Sequence, residues 1–219
     1  FLLGISVDLK ILKSPKKRLL IQTLIIVLLA YILKLQIVDT RIEFFDLIIE
    51  PKIINFCFVI FCLLVLINGS NFMDGLNGLL IGYYIMITII LLKINFFKFY
   101  NIDNELFITC ITTFFFIFIF NISNKLYLGD NGVYVLSAFF GSMLINYHQN
   151  FPRISPYFFI LILWYPCFEN LFSIIRKFKL NRSPIYPDTN HLHQLLFYYL
   201  RKKNNFKDLI NNNLSSMII

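Results

Sequence analysis

Charge is what this chain has least of. Lys, Arg, Asp and Glu make up 15% of its 219 residues, against about a quarter in a soluble domain. Hydrophobic residues make up 58%, and they stand in blocks rather than in alternation. So little charge excludes an ordinary soluble globular domain. The lack of alternation excludes a transmembrane β-barrel, whose strands repeat with period two. Helices remain, the other structure that satisfies every backbone group in hydrocarbon. Cysteine is scarce too. Cys57, Cys62, Cys110 and Cys167 all lie inside apolar blocks, where they read as small packing residues, not as disulfides or metal ligands. No signal peptide is recognisable, and the chain opens on Phe1 in mid-pattern, so an N-terminal part is expected to be missing. The abundance of Ile, Phe, Asn and Lys carries no functional meaning.

Six apolar blocks predict membrane helices: Leu19–Gln36, Ile53–Asn68, Leu76–Leu92, Leu106–Ile122, Val133–Tyr147 and Tyr157–Ile175. Each is near the ~20 residues that cross ~30 Å of hydrocarbon. The stretch Leu209–Ile219 is too polar and too short to span. The fold class expected is therefore all-α, a polytopic transmembrane bundle forming one domain over residues 1–219, with a basic loop at 176–208. Numbering the connections alternately separates the cations. One side holds Lys10, Lys13, Lys16, Lys17, Arg18, Lys125 and the basic residues from Arg176 onward; the other holds Arg41, Lys52, Lys98 and Arg153. The first side is the cytoplasmic one by the positive-inside rule. The net charge of +8 is this bias and implies no nucleic acid.

Every polar cluster falls on that same side. Asn71, Asp74 and Asn77 repeat at three-residue spacing, so one helical turn would align their oxygens, which suit Mg²⁺; the same residues read equally as helix caps. Gly129-Asp130-Asn131-Gly132 offers a carboxylate at a helix start, as cap or metal ligand. His191 and His193, two apart, predict a loop or strand among basic residues, suited to phosphate oxygens or to a solvated interfacial loop. No cysteine completes a zinc set. Glu169, inside the sixth block near Pro166, predicts a structural carboxylate facing the bundle interior, with Arg176 as a candidate partner.

Together, Asn-Phe-Met-Asp-Gly-Leu-Asn-Gly-Leu from Asn71, Gly-Asp-Asn-Gly from Gly129, Tyr-Pro-Cys-Phe-Glu from Tyr165 and Asp-Thr-Asn-His-Leu-His-Gln-Leu from Asp188 resemble the polyprenyl-phosphate N-acetylhexosamine-1-phosphate transferases, glycosyltransferase family 4. That family includes the phospho-MurNAc-pentapeptide translocases. The resemblance runs from Gly4 to about Leu200. It implies transfer of a sugar 1-phosphate from a UDP-sugar to undecaprenyl phosphate, with UMP released and Mg²⁺, or alternatively Mn²⁺, as cofactor. The setting it implies is the cytoplasmic face of the inner (plasma) membrane, in O-antigen-like lipopolysaccharide or cell-wall glycan synthesis. The partners are then the two substrates and the lipid bilayer, with a homodimer open.

The resemblance also implies site roles. Asp130 is the metal ligand, with Asn71 sharing the metal, and Asp74 lies near the diphosphate. Asn77 meets the uracil, and His191 and His193 bind the donor phosphates. Asp8 activates the lipid phosphate, with Arg18 or Lys17 beside it. Three departures stand out. Val7 replaces the first of an expected aspartate pair, Gln194 replaces a third histidine, and about six spans are present where the family has about ten. An inactive or decayed relative, or a transporter of an anionic solute, are the competing readings.

Overall fold

The computed structural model describes residues 1–94, 104–181, 190–203 and 206–219. Among them are eleven helices and no strand, as the all-α expectation requires. The described residues divide into two compact units, Phe1–Phe72 with Gly129–Asp188, and Met73–Leu128 with Thr189–Ile219.

In the first unit a short helix α1 (Leu2–Asp8) precedes α2 (Pro15–Ile32), α3 (Glu43–Ile49) and α4 (Lys52–Met73). Ser14 caps α2 through the Lys17 N–H, and Pro15 occupies its first turn, where a missing N–H costs nothing. Lys34, in the left-handed region at φ 50°, ends it, with the Leu35 N–H returning to the Ala30 carbonyl. The 22 residues of α4 reach about 33 Å, and α4 is the one single helix among the described residues long and apolar enough to cross a membrane.

The same unit continues with α7 (Gly129–Asn150), α8 (Pro156–Ile162) and α9 (Trp164–Lys179); α5 and α6 belong to the second unit. Helices α2 and α7 run in the same direction. Their N-termini meet where Arg18 pairs with Asp130. At their C-terminal ends, Gln149 in the last turn of α7 accepts from the Gln36 N–H, and the His148 ring bonds the Asp39 carbonyl. Arg41 donates to the Arg153 carbonyl at this same end. Nearby, the Thr40 hydroxyl and N–H hold the Asp46 carboxyl below its ordinary value.

The predicted sixth block is not one helix. It breaks between α8 and α9 with a bend of 76°. Pro166 explains the break, because it lacks the N–H that would bond the Ile162 carbonyl and its ring crowds that turn. Helix α9 is also inverted relative to a soluble amphipathic helix. Glu169 is 3% exposed and Ser173 1%, while Ile175 is 51% and Phe178 66% exposed. The Asn170 amide donates to the Val65 carbonyl of α4 at 2.9 Å. A Cβ on Gly69 of α4 would lie 1.9 Å from the Pro166 carbonyl oxygen, so only glycine admits this crossing. The Arg176 guanidinium lies over the Phe172 ring, 5.4 Å from its centroid.

The second unit holds α5 (Leu79–Lys93), α6 (Asn104–Ile122), α10 (Leu192–Lys203) and α11 (Asp208–Ile218). The first two pack together at Gly78 and Gly82, where an added Cβ would press on Phe118 at 3.2 Å. Helices α10 and α11 form a hairpin tied by an Arg201–Asp208 ion pair at 3.0 Å. All of α10 lies within the stretch 176–208 that the sequence reads as a basic loop, and α11 lies in the stretch read only as too short and polar to span.

Candidate active site

Asp8 ends α1 and reaches the start of α7. Its Oδ1 accepts from the Asp130 N–H at 2.9 Å and its Oδ2 from the Asn131 N–H at 3.2 Å. These are two of the four donors that a helix leaves unpaired at its N-terminus, so Asp8 is a cap supplied from 122 residues away. Two glycines make the approach possible. Gly129 has φ +64°, and a Cβ there would sit 2.9 Å from Asp8 Oδ2. A Cβ on Gly4 would lie 2.2 Å from the Asn131 Cα, so α1 and α7 touch backbone to backbone.

Asp130 follows directly. Arg18 Nη1 donates to its Oδ2 at 3.0 Å, and the Tyr134 hydroxyl donates to the same oxygen at 3.3 Å. Asp130 Oδ1 takes part in none of these bonds. Tyr134 comes one turn after Asp130 on α7 and is 7% exposed. Sequence reading counted it among apolar residues and missed it; its spacing of four from Asp130 was the available signal. Lys16 and Lys17 are exposed in the first turn of α2. Three successive cations at a helix N-terminus oppose the macrodipole, so helix stability does not account for them; they add positive charge where N–H groups already favour anions.

Asn71, in the last turn of α4, is half-buried and is not among the side chains bonded to Asp130. Val7, half-buried, lies within α1 beside Asp8.

The second unit holds the other four predicted residues. Asp74 is half-buried in the turn after α4. Asn77 is held at three points. Its N–H donates to Asn212 Oδ1 at 2.8 Å, its carbonyl accepts from the Ser216 hydroxyl at 2.6 Å, and its Nδ2 donates to Asn124 Oδ1 at 3.2 Å. Its Oδ1 enters none of these bonds. The next N–H, of Gly78, donates to Asn121 Oδ1. His191 and His193 are 2% and 0% exposed, and their rings stack at 5.6 Å with 5° between planes. The expectation of a loop or strand is corrected here. The His191 carbonyl accepts the first bond of α10, from the Leu195 N–H, so His191 is the residue preceding the helix and His193 lies in its first turn. Gln194 Oε1 is buried and unpartnered.

Among the described residues no three His, Cys, Asp or Glu side chains gather as a metal cage. A cage is not required for Mg²⁺, which takes one or two carboxylates and completes its octahedron with water and substrate phosphate. The free Asp130 Oδ1, fixed by two bonds to its sister oxygen, fits that use.

Known proteins resemble the part of the chain that carries most of these residues. The sequence profile of Glycosyl transferase family 4 matches residues 1–148, which include Asp8, Arg18, Asn71, Asp74, Asn77 and Asp130 but not the histidines. The chain is 29% identical over 136 residues to the "Probable undecaprenyl-phosphate N-acetylglucosaminyl 1-phosphate transferase" of Bacillus subtilis (strain 168), covering 60% of this chain and 37% of that protein. It is 25% identical over 151 residues to the "Undecaprenyl-phosphate alpha-N-acetylglucosaminyl 1-phosphate transferase" of Thermotoga maritima, covering 66% of this chain and 43% of that protein. The match thus spans about two-fifths of the length of these relatives. No solved structure matches. With two-thirds of its length under the family profile, the chain belongs to glycosyltransferase family 4.

Proposed function

We propose that the protein transfers a sugar 1-phosphate from a UDP-sugar to undecaprenyl phosphate at the cytoplasmic face of a membrane it crosses several times. The observation that carries this reading is the convergence of Asp8, Arg18 and Asp130 on one helix N-terminus. A phosphate oxygen of the lipid attacks the sugar-bearing phosphorus of the donor. A new P–O–P bond forms, the bond from that phosphorus to the bridging oxygen breaks, and UMP leaves with that oxygen. Several negative charges must be brought together, so positioning and neutralisation supply most of the catalysis.

The chain's residues divide that work. Arg18, with the exposed Lys17 beside it, draws the lipid phosphate to the α2 N-terminus. Asp130, through Oδ1, and Asn71 as a second candidate would hold Mg²⁺, which would supply neutralisation of the phosphate charge. Asp8 holds the Asp130 turn in place, and acting on the lipid phosphate would require its two backbone bonds to open. Asp74 stands near the diphosphate, and His191 and His193 bind its oxygens. Asn77 Oδ1 accepts the N–H of the uracil ring. The membrane setting is supported by α9, which buries Glu169, Asn170 and Ser173 and exposes Leu171, Phe172, Ile175 and Phe178, an arrangement that lipid favours. N-acetylglucosamine is the first sugar to test, since both relatives carry it in their names, and surface-glycan synthesis is the pathway proposed.

The test is incubation of the protein in nanodiscs with undecaprenyl phosphate, Mg²⁺ and a panel of radiolabelled UDP-sugars. Label should enter the lipid fraction with one UMP released per sugar. Absence of lipid-linked label with every sugar sinks the reading. One observation favours a transporter instead: the break at Leu163 followed by buried Glu169 resembles the interrupted helices of such proteins. Flux of UDP-sugar or phosphate into proteoliposomes, without transfer, would establish it.

A further inference from the structure

The C-terminal helix α11 is short, polar, and exposes Ile210, Met217 and Ile218. Its buried side carries Asn211 and Ser215, each fully buried. What it contacts gives it a role. Asn212 Oδ1 takes the N–H of Asn77 at 2.8 Å. One turn on, Ser216 places its hydroxyl 2.6 Å from the carbonyl of that same residue and 3.0 Å from the Asn212 carbonyl, its own helix's acceptor. Asn213 donates to the Ile122 carbonyl at 3.0 Å, at the end of α6. Helix α11 also packs along α10, the helix that His191 immediately precedes.

We propose that α11 is part of the donor-nucleotide site, with Asn212 and Ser216 as positioning residues for Asn77. This rests on the reading of Asn77 as the residue that meets the nucleobase. The geometry is specific. A turn outside regular structure must find partners for its own N–H and C=O, and here both partners at one residue come from two side chains one helical turn apart. The Asn77 backbone is thereby fixed at both ends of its peptide links, while Asn124 holds Nδ2. Because the side-chain amide is planar, holding Nδ2 also fixes the direction of Oδ1. An acceptor held in this way selects a ring that presents an N–H between two carbonyls, as uracil does, over cytosine, which presents a bare nitrogen there. By packing on α10 as well, α11 sets the spacing between Asn77 and the paired histidines, so that base and diphosphate are gripped by one block.

The experiment uses the full chain in nanodiscs. Asn212→Ala and Ser216→Ala remove the two bonds, while Asn212→Asp and Ser216→Thr keep an acceptor and a hydroxyl. The Ala variants should raise the KM for UDP-sugar about tenfold, the effect expected for a lost hydrogen bond at a half-buried residue. KM for undecaprenyl phosphate should stay unchanged, and the Asp and Thr variants should recover most of the loss. Amide exchange at Asn77 and Gly78, read without substrate, should speed up in the Ala variants. A purely structural role would lower kcat or yield of folded protein and leave the KM ratio alone, which would overturn the proposal. So would unchanged donor KM with accelerated exchange. A wild-type protein that neither transfers sugar phosphate nor binds UMP would instead bring down the underlying reading, and the donor role with it.

Discussion

At the scale of single residues, Asp130 is where the contacts concentrate. One of its oxygens is held by a guanidinium and a phenol, and the other is left open. Asp130→Asn preserves volume and the Tyr134 bond but removes the charge that faces Arg18 and any cation. We expect it to insert and fold while transfer falls by at least ~10²-fold. Near-normal turnover in saturating Mg²⁺ would make Asp130 a plain helix-terminal residue. Tyr134→Phe is milder, because Arg18 still holds the oxygen; turnover should drop by about tenfold at most, with the apparent Mg²⁺ requirement shifted upward. Val7 is the remaining residue question. Asp8 already spends both its oxygens on the α7 N-terminus, a task that needs no acidic neighbour. Wild type should therefore turn over, and Val7→Asp, which adds like charge beside Asp8, should not accelerate it. A silent wild type rescued by Val7→Asp would mean that this chain has lost its chemistry.

At the scale of elements, the α1–α7 crossing positions the site, and its sterics make a sharp prediction. Gly4→Ala would put a methyl 2.2 Å from a backbone atom of Asn131, a clash no side-chain rotation relieves, with a cost of ~1–3 kcal/mol. Gly129→Ala adds left-handed backbone strain to a contact with the Asp8 carboxylate. Both should lower the melting temperature in detergent by several degrees and reduce transfer more than the lost stability alone would. Melting equal to wild type in Gly4→Ala would show that α1 is not seated as described. The sequence made part of this legible. Hydrophobic blocks marked the helices because lipid-facing and core-facing surfaces are both apolar, and the cation count assigned Asp8, Arg18 and Asp130 to one side. It did not reveal that Asp8 is a cap, since capping across 122 residues leaves no local trace. Nor did it resolve the sixth block, although Pro166 stood there to be read; average apolarity outweighed the one missing N–H. The histidines went to a loop because two residues of separation do not share a helical face, a rule that fails at a helix's first residue. Helix α11 reads only as too short to span, whereas its asparagines and serines bond the backbone of Asn77, Ile122 and Phe206.

At the scale of the molecule, the prediction is topological. Within the first unit, α2 and α7 run in one direction and are tied to each other at both ends. Arg18, Asp130 and Asp8 cluster at their N-terminal end, and Gln36, Asp39, Arg41, His148 and Arg153 interlock at the other. Helix α2 is about 27 Å long, close to the hydrocarbon thickness. On its outer surface Leu20, Leu24, Leu28 and Tyr31 are all exposed, three to four residues apart, and such a continuous apolar stripe has no place in water. If lipid covers it, the two polar ends face opposite compartments, and the positive-inside rule puts the cation-rich end, with Asp8 and Asp130, in the cytoplasm. Single cysteines test this in a protein whose four native cysteines are replaced by alanine. Lys13→Cys, beside the Arg18 end, should react with a membrane-impermeant maleimide only in inside-out vesicles. Val38→Cys, exposed in the connection at the far end, should react only in right-side-out vesicles. Labelling of both from one side would remove α2 from the membrane, and with it the proposed placing of Asp8, Arg18 and Asp130 at the membrane surface.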